Sequence, residues 1–141
     1  MTGVLIASAL ALLAACARDC TPAVRDGWVR MPAMAMPMLA GFGRIENGCS
    51  APLTIVSARS PAFADVTLHE TRIVGGISQM RPVPELVIAP GSAAELQPGG
   101  LHLMLMQPSH ALATGSTVAI EFALKDGGVL RGEFALRNPG E

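Results

Sequence analysis

The 141-residue sequence has no tyrosine, one tryptophan and four phenylalanines. So few flat rings leave no platform on which successive bases could stack. Neither sign of charge dominates: ten Lys and Arg against eleven Asp and Glu give a formal net charge of −1, without a long run of either. A nucleic-acid partner, which calls for a basic patch, is excluded on that ground as well. Amphipathic helical periodicity is missing. So are a Ser-His-Asp set in a persuasive context, paired acids in a recognisable cleft and a phosphate loop, and the sequence therefore offers no enzyme.

What the sequence does contain is turn chemistry. Fifteen glycines and eleven prolines divide the chain into short apolar runs: residues 24–30, 39–45, 52–58, 65–74, 77–81, 86–88, 94–97, 101–106, 117–124 and 129–137. Between them lie Asn47-Gly48, Gly75-Gly76, Pro90-Gly91, Pro98-Gly99-Gly100 and Asp126-Gly127-Gly128, all turn formers. The expected fold is all-β, an antiparallel sandwich or small barrel of one domain over residues 24–141.

Residues 1–16, MTGVLIASALALLAAC, form an apolar run too short for a stable membrane span. Its end, Leu13-Ala14-Ala15-Cys16, matches a bacterial lipoprotein signal in which Cys16 carries the lipid. The absence of Lys or Arg before the run leaves an ordinary cleaved signal as the alternative. Both predict export, to the periplasmic side of a bacterial membrane, with residues 17–23 as a tether. In an oxidising compartment the remaining thiols, Cys20 and Cys49, are expected to pair as a disulfide. A copper thiolate would need a His and a Met close behind the cysteine, and neither cysteine has them.

Methionine is over-used, with eight residues. Residues 31–38 read MPAMAMPM, four methionines with two prolines, which rules out a helix. Met34, Met36 and Met38, with Met106, are candidate auxiliary ligands for a soft metal; hydrophobic cover for the core is the competing explanation.

Strand alternation sharpens the metal reading. In LHLMLM (101–106), Leu101, Leu103 and Leu105 share one face, and His102, Met104 and Met106 the other. A two-residue Gly75-Gly76 turn pairs Val74 with Ile77 and hence Thr71 with Met80. His69 then sits diagonal to Met80, about 7 Å away, on the face opposite Val66 and Leu68. Two imidazoles and two thioethers form a soft donor set suited to Cu(I). Zinc prefers cysteine or acidic ligands, and calcium and magnesium require oxygen. His110, in a turn, is read as an ordinary surface histidine.

The arrangement His69, ten residues, Met80, twenty-one residues, His102, one residue, Met104 resembles that of the exported copper chaperones of the PCu(A)C family. The matching stretches are LHETRIVGGISQMRPV (68–83) and the PGS…ELQPGGLHLMLM block (90–106), and the resemblance extends from about Trp28 to Leu136. It implies a cupredoxin-like Greek-key barrel holding one Cu(I), or on loading Cu(II), through His69, Met80, His102 and Met104. It also implies delivery to a copper-accepting protein, such as the binuclear copper centre of a cytochrome c oxidase or another copper chaperone. Periplasmic copper storage or resistance, and electron transfer by a cupredoxin-like protein, are the alternatives.

Overall fold

The computed structural model of the protein describes residues 20–141. The expected signal segment 1–16, with Cys16, and the first part of the expected tether lie outside the described residues. Ten strands follow: β1 (Ala23–Arg30), β2 (Met38–Asn47), β3 (Leu53–Arg59), β4 (Phe63–Val74), β5 (Ile77–Pro82), β6 (Leu86–Ile88), β7 (Ser92–Leu96), β8 (Leu101–Pro108), β9 (Thr117–Leu124) and β10 (Val129–Arg137). No helix occurs among the described residues.

The strands close on themselves through the circuit β3-β4-β8-β2-β1-β10-β9-β3, a β-barrel of cupredoxin-like form. Closure removes exposed edges. The pairing is not purely antiparallel: β1 runs parallel to β10, and β7 meets β8 in parallel through Leu96 and Leu101. Joining the first strand to the last closes the ring, and both happen to point the same way.

Alternation fills the interior. Val29, Ile45, Leu103, Leu105, Ile120, Phe122, Phe134 and Leu136 are fully buried, and they come from strands on every side of the barrel. Val66 joins them and Leu68 packs against the cluster, which fixes which face of β4 looks outward.

Strand β4 is longer than the barrel wall needs. Its outer half, His69–Val74, pairs with β5 in a projecting hairpin with the register Val74↔Ile77, Thr71↔Met80 and His69↔Pro82. Gly75 and Gly76 have φ of 60° and 80°, the left-handed pair a type I′ turn demands and that glycine adopts without strain. At the far end of the barrel, the buried Asn47 side chain donates to the carbonyls of Ala51 and Ile88 and accepts from the Cys49 N–H. Beside it Cys49 is bonded to Cys20 in a disulfide.

Candidate metal site

Strands β4 and β8 pair so that His69 faces His102 and Thr67 faces Met104. The two imidazole rings stack at 6.2 Å between centroids, 26° apart in plane. Next across, Ala40 of β2 opposes Met104, and Met38 opposes Met106. A methyl group at position 40 leaves room above the Met104 thioether. The hairpin brings Met80 over the same face, so His69, Met80, His102 and Met104 lie together although thirty-five positions separate the first from the last.

The decisive detail is the state of the His102 ring. Its Nδ1 lies 3.0 Å from the carbonyl oxygen of Gly100, an atom that can only accept, so Nδ1 carries the proton and donates it. In the neutral ring Nε2 is therefore a bare lone pair. That lone pair points at the Met80 sulfur, 3.0 Å away, and the sulfur has only lone pairs to offer in return. Two lone-pair donors held 3.0 Å apart with no proton between them, one of them fixed by a backbone carbonyl behind it, form an arrangement that a cation can complete.

His102 lies on the outward face of β8, where alternation predicts exposure, yet it is only 8% exposed. The expectation of an open face fails because Met80, Met38 and Pro32 enclose a pocket of about 220 Å³ around His102 and Met104. Met80 itself remains 52% exposed. The site thus has a buried anchor and an open, thioether-bearing lid.

His69 Nδ1 shares a hydrogen bond with the Thr67 hydroxyl at 3.3 Å. Desolvation, and then the proximity of His102, hold its pKa below the ordinary 6.5, against a hydrogen bond to the Thr67 backbone that raises it. Both dominant causes favour the neutral ring, the form that can ligate. The carboxylate next to His69 is turned away. Glu70 is on the other face of β4, accepting from Arg72 Nε at 2.9 Å and from Arg81 at 3.1 Å, and these two guanidinium groups lower its pKa. Among the described residues no three His, Cys, Asp or Glu side chains converge; the thioethers of Met80 and Met104 are the further side-chain donors lining the pocket with His102.

The Met-rich segment divides. Met38 lines the pocket with His102; Met36 lines a different one; Met34 is 78% exposed and lines neither. Met106 is half-buried beside Met38. Gly100 and Thr67, which orient the two rings, were not picked out from the sequence. Thr67 carries a readable signal, standing two residues from His69 on one strand face, whereas Gly100 depends on the turn before β8. Arg30 was also missed. It lines the His102 pocket with its guanidinium 5.7 Å from the Trp28 ring and 5.0 Å from that of Phe42.

The LpqE-like family, described as "Putative lipoprotein LpqE-like", matches residues 22–135. The chain belongs to this family. A member-like relative, "Putative lipoprotein Lxx21020" of Leifsonia xyli subsp. xyli, is 33% identical over 105 residues, 74% of this chain. The match spans 62% of that relative's length. Among solved structures, the LpqE-like chain is similar to Cu(I)-DR1885 from Deinococcus radiodurans, at 27% identity and a TM-score of 0.66, covering 88% of this chain and 84% of that one. The copper-bound PCuAC domain from PmoF2 shares the fold at 18% identity and a TM-score of 0.67, covering 82% and 92%.

Proposed function

We propose that this chain is an extracytoplasmic copper chaperone that binds one Cu(I) through His69, Met80, His102 and Met104 and passes it to a cuproprotein. The observation that carries the reading is the bare His102 Nε2 directed at the Met80 sulfur. The likeness to a solved structure named for bound Cu(I) supports the choice of metal. Two neutral thioethers and two neutral imidazoles match a soft monovalent d¹⁰ ion and leave its single charge unneutralised. Such an ion is held without a thiolate that an oxidising compartment would consume.

Release would begin at the more exposed ligand. His102 is buried and braced by Gly100, whereas Met80 rides on an exposed hairpin. An acceptor's ligand can displace the Met80 thioether first, while the imidazoles keep hold of the ion. No bond-making step is needed, so the protein acts as a carrier rather than an enzyme. The acceptor that suits this cargo is the binuclear copper centre of a haem-copper oxidase, or another copper chaperone. Lipidation at Cys16 would hold the carrier on the outer face of the membrane beside it.

Titration of the reduced protein tests the assignment: one equivalent of Cu(I) should bind tightly and be displaced by Ag(I) more readily than by Zn(II). Preferential uptake of Zn(II) would contradict it. Acid should weaken the complex, because both imidazoles must be unprotonated to ligate. The His69 pKa is depressed, so its share of the binding persists below the ordinary imidazole range and is lost as the pH falls further. Competition against a Cu(I) chelator between pH 7.5 and 4.5 measures this, and a flat affinity would remove the histidines from the site.

A further inference from the structure

The methionine loop has a second side. Met31 and Met36 line a pocket of about 390 Å³ together with His110, a residue outside the four-ligand set. This pocket and the one containing His102 share Pro32 and Leu39 as walls. They stand on opposite sides of one short segment, with Met38 facing the first and Met36 the second. Backbone bonds pin the segment at both ends: the Met31 N–H donates to the Arg137 carbonyl at 2.8 Å, and the Gln107 N–H to that of Pro37 at 2.6 Å.

The protonation of His110 follows from its neighbour. The Ser109 hydroxyl has a single proton and donates it to the Pro61 carbonyl at 2.9 Å. The same oxygen lies 3.1 Å from His110 Nδ1 and can therefore only accept there. Nδ1 of the neutral ring carries the proton, and Nε2 keeps its lone pair. A ring nitrogen whose partner is fixed by a second-layer hydrogen bond is the usual form of a ligating histidine. No side chain lining this pocket carries oxygen, so it offers a hard cation no carboxylate, hydroxyl or amide side chain.

We infer that Met31, Met36 and His110 form a second, separate binding site for a soft monovalent cation of the Cu(I) or Ag(I) type. Its donors number three rather than four, and two of the side chains are exposed, so it is the weaker of the two sites. The inference does not depend on which residues hold the first ion.

The test is an Ag(I) titration of the full chain followed by imidazole nitrogen NMR. Before metal is added, His110 should appear as the Nδ1–H tautomer. The second equivalent should shift His110 Nε2 after the first has saturated. Losing an outer-shell partner alone costs about 10–100-fold in affinity, so removing two donors by Met36→Leu with His110→Gln should weaken the second site by at least about 100-fold. Both residues are exposed, so the fold should survive, and the first equivalent should bind as before. In the Met80→Leu, Met104→Leu variant the His110 shift should persist. The inference is overturned if excess Ag(I) leaves His110 unmoved. It is equally overturned if the Met36, His110 variant keeps its second equivalent or loses its first, or if the His110 response disappears with Met80 and Met104.

Discussion

Replacing Met80 and Met104 together by leucine is expected to weaken Cu(I) binding by at least about 100-fold, since two of four donors go and even outer-shell losses cost about 10–100-fold. Folding stability should change by about 1 kcal/mol or less, because Leu and Met are nearly volume-conserving and Met80 is half exposed. That separation of effects is the point of the substitution. Leucine keeps the hydrophobic cover over His102 and removes only the sulfur. If the methionines served as packing, the variant would bind metal as the parent does. A chelator competition for affinity and a denaturant titration for stability check the two halves.

Removing the disulfide should do the reverse. Cys20 and Cys49 close a loop with a sequence separation of 29, for which the loop-entropy relation gives about 3 to 4 kcal/mol of stabilisation. The double Cys→Ala variant should lose stability on that scale. Its copper affinity should stay unchanged, because the bond lies beyond Asn47 at one end of β2 while Met38 and Ala40 approach the metal face at the other. At about 3.3 Å per residue, the seven residues from Ala40, opposite Met104, to Asn47 hold the two features roughly 23 Å apart along the strand. A variant of normal stability, measured by urea unfolding, would mean that Asn47 and its carbonyl partners already fix that corner. A loss of copper binding in a folded variant would mean that the two ends of the barrel are coupled.

These two predictions rest on features of unequal visibility in the sequence. The ten strands could be read from turn residues and alternation, and the β4–β5 register followed from one dipeptide, Gly75-Gly76. That local geometry was enough to bring Met80 diagonal to His69. The pairing of His69 with His102 was not legible in the same way. It requires β4 and β8 to be neighbours, a long-range choice made by barrel closure, and only the family resemblance brought all four residues together. Parallel contact between β1 and β10 was likewise hidden, since nothing in either strand announces its partner.

Burial was the least legible property. Period-two alternation assigns His102 to the outside, correctly as to direction, but cannot foresee that Pro32, Met38 and Met80 fold over it. Those residues arrive from a loop, the first position of β2 and a hairpin, whose mutual placement no periodicity encodes. For the same reason the sequence groups Met34, Met36 and Met38 as one set of auxiliary ligands, whereas Met36 and Met38 line different pockets and Met34 lines neither. The role of Gly100 was invisible because its contribution is a backbone carbonyl.

On the proposed function, sulfur from Met80 and Met104 and nitrogen from His69 and His102 meet at one copper ion. X-ray absorption at the copper K edge, on protein loaded with one equivalent of Cu(I), reads that coordination shell directly. Two nitrogen and two sulfur scatterers are expected in the parent, with the sulfur contribution lost in the Met80→Leu, Met104→Leu variant. A shell of nitrogen and oxygen alone, or a sulfur signal that survives the double substitution, would contradict it.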